Sequence, residues 1–154
     1  MQYSEGSVGR VFALRLSEGD RIPQVIEQFA MDHQISRAAV LFLGGSADQS
    51  RFVVGPDSTE PEKIIPLTHT LSGIQEIFGV GTIFPDEAGA PVLHMHAAAG
   101  REGGATVGCT RAGVDVWLVG EVLILELLGM GGVRIMDLRS EFKLLQFTGG
   151  NQEE

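Results

Sequence analysis

The spacing of apolar residues predicts one amphipathic helix in the first third of the chain. Apolar side chains recur there at the i, i+3, i+4, i+7 and i+8 positions that share one helical face: Ile22, Val25, Ile26, Phe29 and Ala30. Asp20 stands just ahead of this run and suits the N-cap position, because its side chain can accept a hydrogen bond from a free backbone N–H. We therefore expect a helix over residues 21–33.

Short apolar runs separated by glycine-rich breaks predict strands along most of the remaining chain. The expected strands cover residues 9–16, 38–43, 47–53, 64–71, 75–84, 92–98, 105–110 and 116–128, with a last group over 133–147. Residues 55–63 contain two prolines and no large aliphatic side chain, which is typical of a surface loop.

Together these elements predict a compact single α+β domain, mainly an antiparallel β-sheet with one principal amphipathic helix packed on it. The domain is expected over residues 9–147, with short tails over 1–8 and 148–154.

Two of the four histidines lie two positions apart in the apolar run Pro91-Val92-Leu93-His94-Met95-His96-Ala97. Side chains alternate along a strand, so His94 and His96 are expected on the same face. Two imidazoles on one face suit a metal site or a histidine-assisted reaction.

The single cysteine, Cys109, follows thirteen residues after His96. If Gly100-Arg101-Glu102-Gly103 forms a four-residue turn, His94 lies directly opposite Cys109 on the next strand and His96 lies diagonally from it. Two nitrogens and one thiolate would then converge, a donor set suited to zinc. A register change of one residue would instead send Cys109 to the other face.

The charge of the chain limits the classes of molecule that it is expected to bind. The net charge is −9, and only two of the eleven basic residues are lysines, with no basic cluster along the sequence. Nucleic-acid binding draws on the neutralisation of phosphates, so this composition argues against direct binding to DNA or RNA. An arginine patch formed in three dimensions stays an alternative.

Composition also predicts a compartment. Hydrophobic residues make up 44% and charged residues 20% of the chain, as in ordinary globular domains. One cysteine cannot form an internal disulfide, and the N-terminus has no secretory pattern, so a cytoplasmic protein is expected. Acidic residues interrupt the most apolar stretch, 114–133, so no membrane span is expected.

Several short motifs follow one another in a characteristic order: Gly73-Ile74-Gln75-Glu76-Ile77-Phe78, Gly81-Thr82-Ile83, His94-Met95-His96 and Gly108. Three further pairs precede them at fitting positions: Arg15-Leu16, Gly19-Asp20 and Leu43-Gly44. The series resembles the plants-and-prokaryotes-conserved domain, also called domain of unknown function 296. That family shows Gly-x-x-Glu-Ile-Leu, Gly-Thr-Ile, His-x-His and Gly-Gly-His-Leu motifs, and the likeness runs over about residues 9–147.

The resemblance implies a compact domain on an antiparallel sheet, usually assembled as a homotrimer. In prokaryotic members the His-x-His pair and the later histidine resemble metal ligands, commonly for zinc. Here Val107-Gly108-Cys109-Thr110 stands in place of Gly-Gly-His-Leu, so Cys109 occupies the third ligand position. The expected ligands are His94, His96 and Cys109, and the expected metal is zinc.

The same resemblance also implies which residues could contact a partner protein. In plant members the Gly-x-x-Glu-Ile-Leu region is implicated in partner contact, which makes Gly73, Glu76 and Ile77 the partner-contact candidates. The segment fits equally well as the start of a buried strand, since apolar strand residues usually pack inward.

Three functions fit these observations. The first is a metal-binding homotrimer of unspecified cellular role, for which regulation and small-ligand binding are the options. The second is a zinc enzyme in which the metal activates water, with Glu76, Glu87 and Glu121 available as acids or bases, or with Cys109 and His94 as a nucleophilic pair. The third is DNA-associated regulation by analogy with plant relatives, whose basic AT-hook motif, Arg-Gly-Arg-Pro, this chain lacks.

Overall fold

A computed structural model describes residues 1–57, 64–138 and 141–147. The elements are β1 Ser7–Ser17, β2 Arg21–Ile22, α1 Gln24–Asp32, β3 Ala38–Ser46, β4 Arg51–Pro56, β5 Pro66–Thr70, β6 Gln75–Pro85, β7 Pro91–Arg101, β8 Gly104–Cys109, a 3-10 turn Thr110–Ala112, β9 Val114–Leu128, β10 Val133–Met136 and β11 Lys143–Gln146. Most of the expected loop over 55–63 and the whole expected tail over 148–154 lie outside the described residues.

The strands form one large antiparallel sheet in the order β1-β9-β3-β6-β7-β8-β4-β5, with β2 also paired to β9. Strands β10 and β11 form a separate hairpin. This architecture confirms the expected α+β class, in which one principal helix accompanies a mainly antiparallel sheet.

The helix begins later than the sequence pattern predicts, at Gln24 rather than residue 21. The two residues before Pro23 form β2 instead, and Ile22 is fully buried there. Pro23 takes the N-cap position. The expected cap was wrong, because the Asp20 carboxylate accepts the Ser17 backbone N–H at 2.8 Å in the preceding turn.

The strand expected over 47–53 likewise begins only at Arg51. The Ser50 backbone N–H donates to the Ala47 carbonyl at 3.3 Å, which closes a turn over the residues before the strand.

The two faces of the sheet differ in burial. The inner face packs against Ile26 and Ala30 of α1 and forms the core, while Val25 and Phe29 pack at its margin. No helix in the described part of the chain is long and apolar enough to span a membrane.

The opposite side, called the outer face below, exposes large apolar side chains from three neighbouring strands: Leu41, Leu43, Phe78, Val80 and Leu123. Their register continues across the sheet, with Leu41 opposite both Leu123 and Val80, and Val80 opposite His96. The histidine strand therefore borders a continuous apolar surface.

Beyond the end of β8, side chains satisfy the backbone hydrogen bonds along the edge of β7. Strand β8 pairs with β7 only over residues 96–101, so the backbone groups of Leu93 and Met95 need other partners. The Glu27 carboxylate of α1 accepts the Leu93 N–H at 2.8 Å, and the Thr110 hydroxyl donates to the Met95 carbonyl at 3.2 Å. Burial raises the pKa of Glu27 above its ordinary value.

Candidate metal centre

The hairpin between β7 and β8 sets the register of the histidine pair. Its turn consists of Glu102 and Gly103, with φ angles of 53° and 80°. Left-handed conformations at both central residues are typical of the two-residue turns whose twist matches paired strands. Arg101 accordingly lies opposite Gly104.

This tighter turn corrects the expected pairing. His96, and not His94, lies directly opposite Cys109, and His94 is the diagonal neighbour. The pairing differs from the expectation by two residues, which preserves the face of every side chain because the strand repeat is two.

The three expected ligand side chains come together. Among the described residues, His94, His96 and Cys109 place their donor atoms within 4.8 Å of one another. The Nε2 atoms of His94 and His96 are 3.1 Å apart. Zinc lies about 2.0–2.3 Å from nitrogen and sulfur ligands, so these donor atoms would have to move closer together for one ion to contact all three.

Cys109 is held in place by the close approach of β4. It lies opposite both His96 of β7 and Val53 of β4, and it is only 3% exposed. A Cβ at Gly108 would sit 2.7 Å from the Val53 carbonyl oxygen, so this approach requires glycine at position 108. The thiol is free and buried, with the two exposed imidazoles beside it.

The surroundings of His94 keep its imidazole neutral. Desolvation, and then the positive charges of Arg134, His96 and Arg111, lower the pKa of His94 to about 4. The ring still opens onto a cavity that it lines together with both arginines. Metal binding needs an imidazole nitrogen with a free lone pair, and the neutral ring of His94 already offers one at pH 7.

Arg134 of β10 is the buried cation of this region. It is 3% exposed, and its guanidinium donates to the Val92 carbonyl and to both oxygens of Thr82 at 3.0–3.3 Å. Burial lowers the pKa of Arg134, and negative charge on the nearby Cys109 sulfur acts in the opposite direction. Thr82 lies opposite His94 on β6, so these contacts hold the β10–β11 hairpin beside the histidine.

The acids offered by the sequence do not join this cluster. Within the described residues, the cluster that could hold a metal ion contains none of Glu76, Glu87 and Glu121, and the exposed His69 is also outside it. Along β6, Glu76 is six residues from Thr82, which corresponds to roughly 20 Å of strand. Among the described residues, none of these three carboxylates therefore belongs to the His94–His96–Cys109 cluster.

The partner-contact candidates lie at the start of β6. Ile77 is 3% exposed and belongs to the core, whereas Glu76 is exposed. Gly73 has a φ of 71°, and its N–H donates to the Asp48 carboxylate at 2.6 Å. Their role in partner contact stays a prediction.

Several residues near the site were not found from the sequence. Arg111, Arg134, Glu141 and Phe142 line cavities beside the two histidines. Arg111 follows Cys109 by two positions, so proximity along the chain offered one signal. The others lie on the β10–β11 hairpin, and no local sequence pattern predicts where that hairpin packs.

Comparison with known proteins places the chain in a family. The family model described as the Plants and Prokaryotes Conserved (PCC) domain matches residues 3–128, which is most of the chain. The chain belongs to the PCC domain family. No curated protein matches this PCC domain significantly.

Solved structures share its fold. This PCC domain is 25% identical to a metal-containing protein of Archaeoglobus fulgidus, with a TM-score of 0.79 over 95% of this chain and 99% of that one. A plant- and prokaryote-conserved protein of Pyrococcus horikoshii is 23% identical, with a TM-score of 0.80 over 96% and 99%. A protein of Ralstonia eutropha JMP134, named as a candidate DNA-binding protein, is 21% identical, with a TM-score of 0.66 over 88% and 90%. The last two likenesses establish the fold alone.

Proposed function

We propose that this PCC domain binds one zinc ion per chain through His94, His96 and Cys109. The convergence of their three donor atoms within 4.8 Å carries this proposal. Two imidazole nitrogens and one thiolate suit zinc, whereas magnesium and calcium prefer oxygen ligands. The similar protein from Archaeoglobus fulgidus is named as metal-containing, which supports the same assignment.

Three protein ligands leave a fourth position on a tetrahedral ion. Zinc in such a site binds water or a ligand there and acts as a Lewis acid. The chain itself supplies the orientation of the donors, because His94 and His96 share one strand and Cys109 lies on the next. Thiolate coordination requires a reduced cysteine, which agrees with a cytoplasmic location.

We also propose that the domain acts as a homotrimer whose subunits cover the outer face. Phe78 is 66% exposed, Val80 60% and Leu43 55%, and these side chains adjoin one another across paired strands. Contiguous apolar patches on a monomer usually mark an interaction surface. The resemblance to a family whose members are usually homotrimers supports copies of this chain as the partner.

Direct DNA binding is not favoured for this chain. The outer face is apolar, and the net charge of −9 opposes approach to a phosphate backbone. A metal-binding trimer with a regulatory or ligand-binding role fits the arrangement better than a DNA-binding module.

The zinc proposal is tested by elemental analysis of protein purified without a metal-affinity tag. We expect about one zinc per chain, and cobalt substitution should give a sulfur-to-cobalt charge-transfer band. Cys109→Ser should abolish that band, whereas His69→Ala, at an exposed histidine outside the cluster, should keep it. Absence of metal after zinc supplementation, with an unchanged melting temperature, would rule out the site.

A further inference from the structure

A cavity of about 580 Å³ opens beside the proposed metal site, between the sheet and the β10–β11 hairpin. His94 and Thr82 line it from the sheet, and Arg134 lines it from the hairpin. This volume is in the range of small-molecule sites, which are typically concave and mostly apolar with a few convergent polar groups.

The cavity combines an apolar wall with positive charge. Val92, Met136, Leu144 and Leu145 provide the apolar surface. The lining also contains three cations and one carboxylate: Arg111, Arg134, Lys143 and Glu141. The lining is thus cationic, in a chain whose net charge is −9.

Arg134 carries the strongest argument for an anionic ligand. It is 3% exposed, and its hydrogen bonds go to neutral oxygens of Val92 and Thr82. Within the described residues, no carboxylate forms an ion pair with it. Burying a charge is costly unless an opposite charge compensates it, so a negative group in the cavity would offset this cost.

The two other cations differ in availability. Lys143 forms an ion pair with the Asp86 carboxylate at 2.8 Å, so its positive charge is already compensated. Arg111 is exposed, and its guanidinium lies 4.2 Å above the Phe142 ring, which orients it without neutralising it. Two guanidinium groups therefore remain to receive an oxyanion, and such groups bind carboxylate and phosphate through paired hydrogen bonds.

We infer that this cavity binds a small organic anion, with its carboxylate or phosphate between Arg111 and Arg134 and its apolar body against Val92 and Met136. This assignment goes beyond the zinc proposal, because both arginines line the cavity and neither is a proposed metal ligand. His94 lines the same cavity, so a bound zinc ion would add a further attraction for the anion.

The test is isothermal titration calorimetry on protein stripped of metal with EDTA. The probes are hexanoate, hexyl phosphate and the neutral analogue 1-hexanol. We expect one molecule of anion per chain and an affinity at least about tenfold weaker for 1-hexanol, the factor that a charge-assisted contact supplies. The tighter of the two anions identifies the headgroup as carboxylate or phosphate.

Equal affinity for hexanoate and 1-hexanol, or no binding of either anion, would overturn the inference. Because this comparison uses the unmodified chain, it does not depend on a variant that folds. Elemental analysis tests the zinc site separately, so the two proposals can fail independently.

Arg111→Gln is the matching variant, because Arg111 is exposed and its removal leaves the core intact. It should weaken hexanoate binding about tenfold. Arg51→Gln removes the same charge from an exposed position on β4 outside the cavity lining and should leave the affinity unchanged. An equal loss in both variants would mean that only the overall charge attracts the anion, which contradicts a specific site.

Discussion

The Nε2 atoms of His94 and His96 lie 3.1 Å apart on the exposed side of β7. Two imidazole nitrogens that share a tetrahedral zinc ion lie about 3.3 Å apart, since each Zn–N bond is about 2.0 Å. The two atoms cannot both carry a proton at hydrogen-bonding distance, so at least one presents a lone pair. The chain thus holds its histidine pair close to the geometry that a shared ion needs.

Cys109→Ser should weaken zinc binding more than about tenfold, because a hydroxyl replaces the thiolate ligand. Mutating a residue that only hydrogen-bonds to a metal ligand already lowers metal affinity by about that factor. Competition with a chromophoric chelator measures the affinity. His69→Ala is the control, since His69 is exposed and outside the ligand cluster. Unchanged affinity in the serine variant would remove Cys109 from the ligand set.

Gly103→Ala should destabilise the β7–β8 hairpin by about 1–2 kcal/mol, the cost of a left-handed conformation for a residue with a Cβ. Gly103 has a φ of 80°, and a Cβ there would meet no atom within 4 Å, so only backbone strain is tested. Gly104→Ala, next in sequence, lacks the positive φ and should change the free energy of unfolding by less. Urea denaturation of both variants provides the comparison, and equal losses would contradict the two-residue turn.

Phe78→Glu should dissociate the proposed trimer while the chain stays folded, because Phe78 is 66% exposed and contributes little to the core. Light scattering should give a mass of about 50 kDa for the unmodified protein, three times the 16.5 kDa of the chain. The variant should give the mass of a single chain. Met31→Lys changes an exposed apolar residue on α1, outside the outer face, and should leave the mass unchanged. A single-chain mass for the unmodified protein would refute the trimer.

The ion pair between Arg10 and Glu126 should stabilise the fold at neutral pH and lose its effect in acid. Arg10 donates to both carboxylate oxygens at 2.7 Å, and this contact holds the pKa of Glu126 below its ordinary value of 4.5. The folded state therefore binds fewer protons than the unfolded state, so the contribution is complete above pH 4.5 and disappears as the pH falls through the lowered pKa.

Arg10→Gln should consequently lower the melting temperature at pH 7, and the difference from the unmodified protein should shrink as the pH falls below 4.5. Thermal unfolding followed by circular dichroism across this range measures the effect. Arg15→Gln provides a control on the same strand, away from Glu126. A difference that stays constant with pH would show that the ion pair is not responsible.

Local sequence patterns were sufficient to predict where the two histidines and the helix lie. Strand alternation placed His94 and His96 on one face, and that face is the exposed one. The 3.6-residue repeat located α1 and its buried residues Ile26 and Ala30. These features follow from backbone geometry, which repeats every two residues in a strand and every 3.6 in a helix, whatever the rest of the chain does.

Tertiary structure decided what local repeats leave open. The number of residues in the turn fixed His96 opposite Cys109, and the pairing of Ile22 with β9 delayed the start of the helix. Arg134 reaches Thr82 from 52 positions away, and Glu126 meets Arg10 from 116. Such contacts depend on how segments distant in sequence pack together. The free energy of a buried charge is set by its neighbours in space, which local sequence does not specify. The sequence alone therefore determined which residues share a face, and the folded chain decided which charges surround them.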